Sequence, residues 1–114
     1  MITRVWECGI VPATADELVD WIELNSWPKV TVVPGFMGGS LYTPMASNDR
    51  IVTVTHWADA GAIATYVGSD WLATPVVYDA ERPYLTGEPT LAHYRRRHQI
   101  RPAGGGPAVG SPGR

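Results

Sequence analysis

The sequence predicts an α+β domain of ferredoxin-like βαββαβ order: an antiparallel four-stranded sheet, helices on one face and a second copy of the chain on the other. Three observations carry this. Ile51 to Trp57 is rich in β-branched residues, and neither of its alternating faces is polar enough for water. Thr53, Thr55 and Trp57 share one face, while Val52, Val54 and His56 share the other, so this strand belongs at the centre of a sheet with both faces covered. Strand and helix patterns follow one another as strand, helix, strand, strand, helix, strand. Finally, 114 residues build one core and not two, so helices cover only one face of the sheet. The remaining apolar face needs a partner, which two sheets meeting face to face in a homodimer supply.

Each element has its own signal. Ile2, Arg4, Trp6 and Cys8 alternate with Thr3, Val5 and Glu7, which gives a first strand closed by Gly9 to Pro12. Thr14-Ala15-Asp16-Glu17 fits a capping box. The helix behind it carries Leu18, Trp21, Ile22 and Asn25 at helical spacing and is expected to stop before Pro28. Pro34-Gly35 marks a turn into a second strand, Phe36 to Thr43, whose Gly38, Gly39 and Ser40 imply either a bulge or space for a ligand. Pro44 to Asp49 is a hairpin-length loop, so the second and third strands are antiparallel neighbours. Asp59 can cap a helix with an Ile63, Tyr66, Val67 stripe that ends at Gly68. Asp70 to Arg82 reads as a further helical segment restarted at Pro75, and Pro83 to Pro89 as a loop. Thr90 to Arg97 is the last strand, with Arg95-Arg96-Arg97 reaching into solvent. Residues 1–98 thus form the domain, and the Gly/Pro-rich stretch 99–114 a disordered tail.

Composition narrows the function. A net charge of -2 leaves no electrostatic footprint for nucleic acid or an anionic membrane. No apolar run approaches the roughly 20 residues of a spanning helix, and Met1 leads directly into a strand, so the expected location is the cytoplasm. Cys8 is the only cysteine, which excludes an intramolecular disulfide and a thiolate cluster. His56, His93 and His98 show no ligand spacing, and Gly104-Gly105-Gly106 has no strand before it or helix after it. Neither a metal nor a nucleotide is expected. Five tryptophans and five tyrosines against one phenylalanine favour walls that are apolar yet carry polar handles, as a small-molecule cavity requires.

The Pro34-Gly35-Phe36 turn, the strand Ile51 to Trp57, the Trp57-Ala58-Asp59 helix entry and Tyr66 followed by Ser69-Asp70 together resemble the antibiotic biosynthesis monooxygenase family. The resemblance spans about residues 2 to 97 and implies a dimeric α+β barrel. It implies chemistry on an aromatic polyketide-like small molecule, either cofactor-independent oxygenation to a quinone or non-oxidative cyclisation or isomerisation. The strand-end tryptophan of the cofactor-free members is Trp57 here, whereas their asparagine four residues earlier is Thr53, a hydroxyl with one donor in place of two. Haem-degrading members carry an iron-ligating histidine after the Ser-Asp pair. Trp71 to Val77 contains none, so haem is not expected.

Within that reading, Trp57, Trp27, Trp71, Tyr66 and Tyr42 can wall a flat aromatic substrate, with Thr53 and Thr55 on the same strand face. Thr53, Thr55 or the Trp57 indole N–H would steady the substrate anion. His56 is the best acid or base by type, although alternation turns it from Trp57 toward the partner sheet, where a structural hydrogen bond between subunits would explain it equally. His93 is a second candidate, and His98 belongs to the solvated end. Glu7, if enclosed by tryptophans, would have a raised pKa and act as base or acid; paired with Arg4, Arg82 or Arg95 it would be structural. A non-catalytic binding module on the same fold remains the third reading.

Overall fold

The computed structural model describes residues 1–104 of the 114. Its elements are β1 (Ile2–Gly9), α1 (Ala15–Trp21), a π-helical turn (Ile22–Ser26), α2 (Trp27–Val30), β2 (Phe36–Tyr42), β3 (Arg50–Trp57), α3 (Ala60–Val67), a 3₁₀ segment (Asp79–Tyr84) and β4 (Thr90–Arg95). The four strands form one antiparallel sheet in the order β2-β3-β1-β4. This is the ferredoxin-like α+β arrangement that the element order implied. Of the tail 99–114, residues 105–114 lie outside the described part, and residues 99–104 form no helix or strand.

Register explains which side chains look where. Arg4 pairs with Thr55, Trp6 with Thr53 and Cys8 with Ile51, and this row faces the helices. Two core clusters form on it, one around Trp6, Leu18 and Ile51, the other around Val30, Trp57 and Ile63. Leu18, Ile51 and Ile63 are at most 1% exposed, and each such side chain stabilises the fold by ~1.5–3 kcal/mol. The opposite row carries Val5 beside Val54, Glu7 beside Val52, and Thr3 beside His56. Tyr42 and Tyr94 flank it and are 56% and 59% exposed.

The helix entries and exits follow the local chemistry with four departures. Asp59 caps α3, its Oδ1 accepting from the Ala62 N–H at 2.9 Å, and Gly68 ends it at φ 118°. The glycine run in β2 is a bulge, because the register slips between Phe36 and Gly39, and a side chain on Gly39 would meet the Val54 carbonyl at 2.6 Å. Thr14, by contrast, caps nothing: its hydroxyl donates to the Val11 carbonyl, in a 3₁₀ turn that Pro12 opens. The first helix does not stop before Pro28. A π turn widens it ahead of the proline, which then sits in the first turn of α2, where its missing N–H has no partner to lose. Residues 70–82 are not helical throughout. A turn at Asp70–Thr74 gives way to a stretch without regular structure through Pro75, Val76 and Val77, whose proline and β-branched side chains disfavour helix, and only Asp79–Tyr84 coils again. The last strand ends at Arg95, two residues early, where its pairing with Ile2 of β1 runs out.

Candidate functional site

A cleft open to solvent lies between the sheet and the helical layer, spanning about 610 Å³ only when its solvent-filled mouth is counted in. The sheet supplies its floor through Arg4 and Trp6 of β1 and Thr53, Thr55 and Trp57 of β3. Strand alternation puts these five on one face, so their spacing follows from backbone geometry alone. The π turn and α2 supply Ser26, Trp27 and Val30, the irregular stretch after α3 supplies Val76 and Tyr78, and the 3₁₀ segment supplies Glu81.

Aromatic packing fixes the walls. Trp57, 1% exposed, stacks on Tyr66 at 5.9 Å and meets Phe36 edge-on at 5.2 Å. Its indole N–H donates to Thr55 Oγ1 at 2.9 Å and is therefore spent inside the protein. This corrects the expectation that it would steady a substrate anion. The Tyr66 and Tyr78 hydroxyls lie 2.9 Å apart, and Tyr78 is braced by Trp21 and by the Lys29 ammonium 4.7 Å from its ring.

Three polar groups stand out. Glu81, 5% exposed, keeps one oxygen on the Tyr78 N–H at 2.9 Å, and burial pushes its carboxyl pKa up. Arg4, also 5% exposed, donates to the carbonyls of Trp71 and Thr74, each at 2.7 Å, and to His93 Nε2 at 2.9 Å. Accepting that bond leaves the His93 proton on Nδ1. Burial and then the Arg4 charge hold its pKa below the ordinary imidazole value. Third, the Trp6 Nε1–H is buried without a hydrogen-bond partner.

Of the sequence-derived site residues, Trp57, Thr53, Thr55, Tyr66 and Trp27 converge on the cavity. Four do not. Glu7 points from the opposite sheet face and pairs with Arg50, its neighbour across the strands, so it is no enclosed carboxylate. His56 shares that face and bonds the Thr3 hydroxyl at 2.9 Å. Tyr42 follows Val52 onto the same side, because it pairs with a residue of the wrong parity for the cavity. Trp71 stands outside the wall, edge-on to His93 at 5.0 Å, and contributes its carbonyl to Arg4. The buried charged groups of the cavity wall are instead Glu81 and Arg4. In the sequence Arg4 shares the alternating face of Trp6 but reads only as a possible partner of Glu7; Glu81 had no sequence signal, since a 3₁₀ turn in an irregular segment brings it in.

Among the described residues no group of acidic, histidine and cysteine side chains could hold a metal, and no helix is long and apolar enough to cross a membrane. Haem does not fit the donor set. No histidine lines the cavity, and burial, then the hydrogen bond shared with Tyr78, pushes the Tyr66 phenol pKa up, away from the tyrosinate that would bind iron.

No family model matches the sequence, and no curated protein matches it. The fold, however, is that of the antibiotic biosynthesis monooxygenase structures. A monooxygenase from the ActVA-Orf6 gene of Streptomyces coelicolor, solved with nanaomycin D, superposes at a TM-score of 0.68 with 22% identity, over 90% of this chain and 92% of that one. SnoaB of Streptomyces nogalater, a cofactor-independent oxygenase, gives 0.63 with 15% identity over 87% and 95%. The haem degrader MhuD of Mycobacterium tuberculosis gives 0.67 with 19% identity over 89% and 100%. At such identities the likeness is one of fold.

Proposed function

We propose that this chain is a cytoplasmic, cofactor-independent enzyme of secondary metabolism that oxygenates a phenol or enol on an aromatic polyketide-like substrate to a quinone, working as a homodimer. The observation that carries it is a buried carboxyl with a raised pKa, Glu81, facing a cavity walled by tryptophan and tyrosine. The shared fold with a monooxygenase and a cofactor-independent oxygenase supports it.

The aromatic walls hold the substrate plane, and Glu81 takes the hydroxyl proton. The electron pair left on oxygen delocalises into the ring, and a ring carbon forms a C–O bond to dioxygen. That carbon then loses its own proton, the O–O bond breaks, and the outer oxygen leaves as water. One substrate and one dioxygen give one quinone and one water, with all electrons drawn from the substrate. General acid–base help from Glu81 contributes roughly 10² to 10⁴ in rate. The face bearing Val5, Val52 and Val54 is where the second copy docks.

A non-oxidative cyclase or isomerase is the second reading, favoured by Thr53 at the position of the family's asparagine. An oxygen electrode with purified protein, no added cofactor and a panel of hydroxynaphthalenes and anthrones separates the two. Dioxygen uptake equal to quinone formed supports the oxygenase; product formed anaerobically overturns it.

A further inference from the structure

Arg4 is a buried cation without an anion. Its three hydrogen-bond partners are two carbonyls and a neutral imidazole. The ion pairs among the described residues join Arg50 to Glu7 and Arg82 to Asp79, leaving Arg4 in none. Guanidinium does not surrender its proton, so burying it at 5% exposure without a counter-charge is costly, and the fold retains it in a cavity wall. Two residues along the same strand face, Trp6 is 8% exposed, lines the same cavity and has an indole N–H with no partner. Buried donors of this kind are normally satisfied. Side chains at i and i+2 of a strand stand roughly 7 Å apart at the backbone and on the same face, so both donors belong to neighbouring parts of one cavity wall.

We propose that Arg4 and Trp6 form an oxyanion seat, so that the cavity takes its planar aromatic ligand with a delocalised oxyanion, carboxylate or enolate, bound against the guanidinium and the indole N–H. A carboxylate or vinylogous enolate supplies the missing negative charge and an acceptor for the orphaned N–H at once. The walls of Trp27, Tyr66 and Tyr78 accept the attached ring system. This rests on the reading of the cavity as the substrate site, and it specifies the charge that substrate carries.

The test is equilibrium binding under anaerobic conditions, followed by calorimetry, with two matched pairs of probes. 2-Hydroxy-1,4-naphthoquinone, an enolate at neutral pH, is compared with its 2-methoxy ether, and 2-naphthoate with 2-naphthamide. At least one anion is expected to bind about tenfold or more tighter than its neutral partner, and which one does so identifies the oxyanion as enolate or carboxylate. Arg4→Met should erase that preference and Arg4→Lys retain part of it. Trp6→Phe should weaken the anion by about fivefold or more and the neutral probe little. Equal affinity within both pairs for the wild-type protein overturns the proposal, as does a preference that survives Arg4→Met. Should Arg4→Met fail to fold, an undiminished preference in Trp6→Phe overturns the joint seat. Because no turnover is involved, anion preference without oxygen uptake would sink the oxygenase reading alone.

Discussion

Glu81→Gln separates the chemistry of the cavity from its architecture. The amide oxygen can still accept the Tyr78 N–H that Glu81 holds at 2.9 Å, so the 3₁₀ segment keeps its anchor while the base is removed. Turnover is expected to fall by roughly 10² to 10⁴, with substrate affinity little changed. A second, independent effect follows from burial. The folded pKa of Glu81 lies above its unfolded value of about 4.3, so the folded state holds the proton more tightly. Its contribution to stability is therefore complete below pH ~4.3 and is lost as pH rises through the folded value. The substituted amide carries no charge at any pH, so the variant should gain on the wild type as pH rises. Each tenfold difference in acidity is worth ~1.4 kcal/mol, and each kcal/mol moves Tm by roughly 4–8 °C in a domain of this size. Thermal denaturation at pH 4, 6 and 8 beside oxygen-uptake kinetics reads both effects. Unchanged turnover would remove Glu81 from the mechanism, and a Tm difference flat across pH would refute the claim that its charge is expensive to bury.

Three further substitutions test the frame around it. Trp57→Phe removes the hydrogen bond to Thr55 and part of the ring stacked on Tyr66; a stability loss of ~1–3 kcal/mol by urea titration with a folded near-UV spectrum, and reduced turnover, are expected. If turnover is intact, Trp57 is a wall and no more. Gly35→Ala forces φ 91° on an L residue and brings its Cβ to 2.6 Å from the Ala62 Cβ, for an expected loss of about 2 kcal/mol; a neutral result would mean that the turn repacks. Val54→Glu, in register with Val5 and Ser40 on the open face, should yield monomers by light scattering. Dimers that persist would locate the interface elsewhere.

Alternation was the most informative feature of the sequence. It sets Thr53, Thr55 and Trp57 opposite His56, because a strand leaves side chains only two directions. The Asp59 cap and the Gly68 stop were equally readable, being decided within one turn of chain. What escaped was decided at long range. Glu7 and Glu81 are indistinguishable as letters; one finds Arg50 across the sheet and the other is enclosed beneath Tyr78, a difference set by tertiary packing. Residues 70–82 carry helix formers such as Leu72, Ala73 and Ala80, yet Arg4 captures the Trp71 and Thr74 carbonyls that a helix would have used. By sequence Pro28 ends the first helix, but a π turn ahead of it accommodates the proline and the helical run continues to Val30.

Arg4's grip on those two carbonyls has a mechanical side. The stretch leading to Val76 and Tyr78 has no ladder of its own and is moored to the sheet at Trp71 and Thr74 by one guanidinium. A guest that draws on the same cation competes with the moorings of the wall beside it. Grasping the guest and mooring the enclosure thus draw on a single side chain, and selection on either property must act on both.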